Sequence, residues 1–314
     1  MRANSLRMSW LLALAGSFVS GVSVASAQNA PAFEWRSVLN MYADESGFVA
    51  LEELDLVFAP PAPVNAHVVV KDAAGGQIAQ WGIYPDHVSS QAVFARLRPD
   101  NAAEGSFTPG QYQFEFMVGG QLATRVPFEV KNASTSDDPF NPGTTLMFDG
   151  PWQDLGFFVF DETRDGAQHA EFRFWAGRSD LGGVNGRTGL RVEIKRGGTV
   201  VGHSRTGVPF LSNENMDEKR APLLEPHEGS DPNAERLTRS ALNADGNYTV
   251  TVSREADGGV IREFSYRAQG GKIVPLARTA LGYSPHADYI PPRTLKTGTT
   301  TFEFTEAVWV SGDN

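Results

Sequence analysis

Two polar stretches of this chain gather residue types that can bind or transform a ligand. Residues 280–293 (ALGYSPHADYIPPR) hold Tyr283, His286, Asp288, Tyr289 and Arg293 in one proline-bearing segment. Rings that stack, set beside groups that form directional hydrogen bonds, are what a sugar or peptide site uses. Residues 207–246 show little alternation and read as a surface loop. They carry Glu214, Asp217, Glu218, Glu225, His227, Glu228, Asp231 and Glu235. Several carboxylates on one loop are the donors that calcium takes. The Asp-x-Asp-x-Asp-Gly spacing is missing, however, and Lys219, Arg220 and Pro222 interrupt the nearest fragments. The stretch therefore reads as a solvated acidic loop, and no metal is assigned. If the two loops converge, Glu228 joins the five residues of 280–293 as a ligand-binding set. The alternative is that the tyrosines only cover the end of a sandwich.

Catalytic patterns are harder to find. The histidines are His67, His87, His169, His203, His227 and His286, and no pair has the i, i+4 spacing of a helical zinc motif. Strand pairing would suffice to bring His169 and His203 together with His227 folded over them, but nothing in the sequence requires it. No G-x-S-x-G elbow follows a strand. With 37 Asp and Glu residues, no two can be singled out as a hydrolytic pair. The absence of cysteine excludes disulfides, thiolate–zinc sites, iron–sulfur clusters and a thiol nucleophile. No cofactor is implied. The net charge of −10 argues against nucleic acid and against an anionic membrane surface, which need a basic face.

The elements that would position these residues read as strands. Residues 1–27 look like a secretory signal peptide: Arg2 and Arg7, an apolar run from Trp10 to Val19, then the small-residue site Ala25-Ser26-Ala27. Ser17, Ser20 and Gly21 make the run too short and too polar for a span of about 20 residues. The expectation is an exported protein, periplasmic or secreted, with no stable membrane insertion after cleavage.

From residue 28 on, apolar residues recur with period two. Val68 and Val70 alternate with His67, Val69 and Lys71, while Phe114 and Phe116, Phe172 and Phe174, Val192 and Ile194, and Val250 and Val252 each enclose a polar residue. Gly-Gly pairs at 75–76, 119–120, 197–198 and 258–259 supply hairpin turns. Pro127 places its strand at an edge or a bulge. Trp175 and Trp309 fall out of phase with their strands' core residues, so they form either a sugar-stacking platform or, preferably, a face buried against a neighbouring domain. Residues 132–143 (NASTSDDPFNPG) read as a linker. Helix is indicated weakly, near Trp35 to Tyr42 (where a first strand fits as well) and over residues 232–243.

The two halves share a pattern. Gly110-Gln111-Tyr112 precedes a Gly-Gly hairpin and a return through Arg125 to Phe128. Gly246-Asn247-Tyr248 precedes another and a return through Arg262 to Phe264. This grammar resembles the penultimate strand of immunoglobulin-like sandwiches, where a tyrosine near the strand start bonds back to the backbone. The resemblance, to bacterial immunoglobulin-like or fibronectin-type-III-like domains, covers residues 32–131 and again about 189–268. It implies a fold and no activity.

The expected fold is all-β, with two antiparallel β-sandwich domains in tandem. Residues 28–131 form an immunoglobulin-like unit, 132–143 a linker, and 144–314 a larger sandwich with long loops. The expected function is non-catalytic binding of an envelope or extracellular partner, a protein or a glycan. Two alternatives stand beside it. One is a polysaccharide lyase or hydrolase on the second sandwich, and the other is a structural subunit of an extracellular assembly.

Overall fold

The computed structural model describes residues 40–43, 49–53, 56–58, 65–88, 93–103, 107–134, 144–162, 166–182, 184, 186–212, 217–226, 234–274, 276, 293–295 and 304–312. Antiparallel strands dominate, and the one α-helix among these residues, α1 (Arg239–Leu242), is a single turn.

A short hairpin pairs β1 (Asn40–Ala43) with β2 (Val49–Glu53). Tyr42, where helix and strand were both open, is therefore in a strand. Seven strands build the first large sheet: β3 (Leu56–Phe58), β4 (His67–Asp72), β5 (Gln77–Val88), β6 (Val93–Ala103), β7 (Gly110–Val118), β8 (Gln121–Ser134) and β9 (Thr144–Asp149). Their order is β3-β6-β5-β4-β7-β8-β9. Alternation sets the faces. Val68, Val70, Phe114, Phe116, Val126 and Phe128 are buried on one side. The intervening Glu115 is clasped by Lys71 at 2.6 Å and Arg125 at 2.8 Å. Gly119 and Gly120, with φ of 59° and 78°, turn β7 into β8 in the left-handed region that glycine adopts without steric cost. Pro127 lies on the part of β8 that β9 does not reach, since that pairing starts at Glu129. Asn132 to Ser134 extend β8, and β9 adds to the same sheet; residues 135–143 between them lie outside the described residues.

The second half supplies β10 (Leu155–Glu162), β11 (Gln168–Ala176), β12 (Thr188–Arg196), β13 (Thr199–Ser204), β14 (Phe210–Leu211), β15 (Asp217–Leu224), β16 (Gly246–Arg254), β17 (Val260–Gln269), β18 (Lys272–Ile273), β19 (Arg293–Leu295) and β20 (Phe304–Gly312). Neighbours run β17-β16-β12-β13-β15-β11-β10-β20, and β20 pairs back to β17, so these eight strands close into a barrel. Closure is uneven. β16 and β17 share eight residue pairs, and β10 and β11 seven. By contrast, β13 meets β15 through two pairs, and β17 meets β20 through two. The barrel is thus two four-stranded sheets joined along two narrow seams. A tandem of two open sandwiches is accordingly not what the structure shows. The alternation that defines the strands is the same in both architectures, and only the edge pairing across the seams differs.

Two further expectations change. The stretch 207–246 is not all surface loop, because it contributes β14 and the barrel strand β15. Glu218 and Lys219 of β15 are buried. Arg220 donates from Nε to Glu218 at 2.8 Å, and Lys219 pairs with Asp217 at 3.1 Å. Pairing of unlike charges lets a charged strand sit in a sheet, and it hides the apolar alternation of Ala221 and Leu223 from a sequence reader. The helix expected over 232–243 narrows to α1.

Both G-x-Y tyrosines bond back as their sequence context suggests. Tyr112 donates from Oη to the Thr108 carbonyl at 2.9 Å, and Tyr248 to the Ala244 carbonyl at 2.7 Å. Trp175 and Trp309 are buried on the outside of the barrel. They share one apolar cluster with Val68, Trp81 and Phe128 of the first sheet. The rings of Phe157 and Trp309 stack at 4.5 Å, and those of Trp175 and Trp309 at 5.9 Å. The first sheet therefore packs against the β10–β11–β20 wall.

Candidate ligand-binding surface

Among the described residues, apolar side chains pack the barrel interior. Phe158, Phe160, Phe172, Phe174, Tyr248, Phe264 and Tyr266 fill it, with Val192, Ile194, Val250 and Val252 between them. Leu237 and Leu242, before and within α1, close one end. A Cβ on Gly202 would collide with Leu237, so glycine there is what admits the plug. Leu181 and Leu211 close the other end. Asp180, on the 3₁₀ turn Arg178–Leu181, is fixed over that end by four contacts. Arg262 donates to both its carboxylate oxygens at 2.7 and 3.0 Å, the Gly177 amide donates at 2.9 Å, and Arg254 donates to its carbonyl at 2.9 Å. Burial pushes the Tyr266 hydroxyl well above the ordinary phenol range. Outward-facing Arg191, Glu193 and Lys195 give β12 a charged exterior. Along β12, apolar inside and charged outside is the reverse of what a lipid-facing strand needs.

Concavities therefore lie on the outside, next to the plugged end. One, of about 380 Å³, sits beside the β17–β20 seam. It is bounded by Asp149 of β9, Asp154, Ser179 and Asp180, and by Arg262 and Glu263 of β17. It is mostly acidic, and the guanidinium of Arg262 is already committed to Asp180.

The other, of about 560 Å³, opens where β13 leaves β12. Its shape has a local cause. Beyond His203, β13 stops pairing with β12, and the Ser204 hydroxyl accepts the Val192 amide at 2.9 Å in place of a carbonyl. The chain then turns through Thr206 and Gly207. The Gly207 amide donates to Glu255 at 2.9 Å, which ties this turn to the one after β16. Arg191 and Ser253, opposite each other on β12 and β16, form the wall. Arg254 is held by Asp257 at 2.9 Å. Hydrogen bonds from Arg254 and from the Gly259 backbone in turn hold the Asp257 carboxyl below its ordinary range. Among the described residues, the one partner of Arg191 is Glu193, reached from Nη2 at 3.2 Å, and the Arg191 side chain is 54% exposed. Lys195 is the main reason that the Glu193 carboxyl is held below its usual range.

His203 donates from Nδ1 to the Ser204 carbonyl at 2.9 Å, and the two side chains follow one another along an alternating strand. His169 lies on β11 and His203 on β13, with β15 between them. Among the described residues no three His, Asp or Glu side chains are grouped so as to hold a metal, and no helix is long and apolar enough to cross a membrane.

Of the residues singled out by sequence, Tyr283, His286, Asp288, Tyr289 and Glu228 lie outside the described residues, as does His227. Arg293 opens β19 and pairs in register with Glu306 of β20. The sequence reading missed Arg191, Ser253 and Thr206. They lie on ordinary strand and turn positions, and only the pairing of β12 with β16 and the Gly207–Glu255 tie bring them together. No protein family, curated protein or solved structure matches this chain.

Proposed function

We propose that this chain is an exported, non-catalytic β protein that recognises an envelope or extracellular ligand or partner through its outer surface. The sealed barrel carries the reading. With its interior packed and both ends plugged, any ligand must meet the exterior, and the exterior concavity on β12 presents an arginine and hydroxyl groups to it. Export rests on the signal-peptide pattern of residues 1–27. The immunoglobulin-like reading of the first half belongs to the same proposal, supported by the Tyr112 bond to the Thr108 carbonyl. So do the candidate ligand residues Tyr283, His286, Asp288, Tyr289, Arg293 and Glu228, supported by their composition alone.

Isothermal calorimetry of the purified protein against fractionated envelope polysaccharides and envelope proteins is expected to give saturable heat with at least one fraction. Silence with every fraction overturns the reading. Release of new reducing ends or unsaturated products from any polysaccharide overturns its non-catalytic part.

A further inference from the structure

The geometry points to the concavity between β12, β13 and β16 as a site for a carboxylated saccharide, a uronic-acid sugar. The inference rests on the proposed binding function and names its ligand class.

Three observations carry it. The first is charge. Arg191 and Arg254 line the pocket beside Glu255, and each arginine is paired with a carboxylate next to the pocket, Glu193 and Asp257. An anionic ligand is therefore met here by guanidinium groups placed beside one another, which a chain of net charge −10 does not offer generally. The second is the state of Arg191. Among the described residues its guanidinium meets only Glu193, through Nη2, and its side chain is 54% exposed. That planar fork matches a carboxylate in two parallel bonds. Arg254 differs, because its N–H groups are engaged by Asp257 and the Asp180 carbonyl. The second cation sets the field but does not grip the ligand.

The third observation is the remaining lining. Ser253, Thr206 and Glu255 offer hydroxyls that donate or accept and a carboxylate that accepts. Such a set matches a ring of sugar hydroxyls. A phosphate prefers several converging donors, and here, among the described residues, Arg191 alone has N–H groups beyond those that its partner Glu193 takes. The scaffold is also rigid: the Gly207–Glu255 bond and the β12–β16 ladder hold the walls in place before a ligand arrives. The volume of about 560 Å³ suits one or two sugar rings.

The test is calorimetric titration of the full chain with glucuronate- and galacturonate-containing disaccharides, and with the same sugars after carboxyl reduction to the neutral form. Inorganic phosphate and acetate serve as competitors. Wild-type protein is expected to bind at least one acidic disaccharide, with affinity reduced about tenfold or more for its neutral counterpart, one lost charge-assisted contact corresponding to about that factor. Arg191→Gln and Ser253→Ala are expected to weaken binding, about tenfold for the first. Both positions lie on the barrel's outside, so the melting temperature should stay at the wild-type value.

Equal binding of acidic and neutral sugars overturns the ligand class. Competition by acetate or phosphate at the same concentration as the disaccharide also overturns it, by reducing recognition to charge alone. Undiminished binding by a folded Arg191→Gln protein overturns the site while leaving the binding function standing. Silence with every disaccharide, alongside saturable heat with an envelope fraction, overturns this inference alone.

Discussion

Glu115 shows how a single side chain can be charged, buried and stabilising at once. Burial acts to raise its pKa, but hydrogen bonds from Lys71 and Arg125 outweigh that and hold the carboxyl below its ordinary value of 4.5. A carboxylate whose folded pKa is depressed contributes stability above the unfolded pKa and loses it as pH falls through the folded one. Glu115→Gln is therefore expected to lower stability by about 1 kcal/mol near neutral pH, since its cationic partners are partly solvated. In urea unfolding, the gap between wild type and variant should close as pH falls below 4.5. A gap that stays constant from about pH 6 down to about pH 3 would contradict the assignment. The alternation around Glu115 is plain in the sequence. Its pairing with Lys71 and Arg125 is not, because it depends on β4 and β8 flanking β7 in that register.

At the scale of elements, barrel closure is limited by side-chain volume. Gly156 occupies an inward position on β10 opposite Phe174, and a Cβ there would overlap the Phe172 ring. Gly156→Ala is expected to lower stability by about 1–3 kcal/mol through overpacking, with no change in strand content by circular dichroism. Adding Phe172→Leu to that variant should recover part of the loss, because the smaller side chain vacates the overlap. If the double variant is as unstable as the sum of the two single ones, the overlap is not the cause. Strands such as β12 and β16 were legible because one face is apolar and the other polar. β15 was not, since its charged face is buried among partners drawn from β11 as well as its own residues; Arg173, itself fully buried, lies 2.7 Å from Glu171 and 3.6 Å from Glu218.

For the whole molecule, the first sheet and the barrel share a core. Trp309 stacks on both Phe157 and Trp175 in the cluster that also holds Val68, Trp81 and Phe128. The wild type is expected to unfold in one transition. Trp309→Ala should cost about 3–5 kcal/mol, the usual penalty for deleting a large buried ring. It should also split that transition, with the barrel and the first sheet melting at different temperatures in differential scanning calorimetry. A single transition displaced to lower temperature would mean that the two bodies are coupled elsewhere.

The sequence alone determined the positions of strands such as β4, β7, β12, β16 and β17, the glycine turns, the two tyrosines that tie back to the backbone, the lack of thiol chemistry and the acidic balance. Each depends on residues close together in the chain, so local geometry and composition suffice to read it. Tertiary structure decided that the second half closes into a plugged barrel, that β15 is one of its strands, and that Arg191, Ser253 and Thr206 share a concavity. Those facts depend on which strand edges meet across long separations. Period-two alternation specifies the faces of a strand but is silent about the neighbour at its edge.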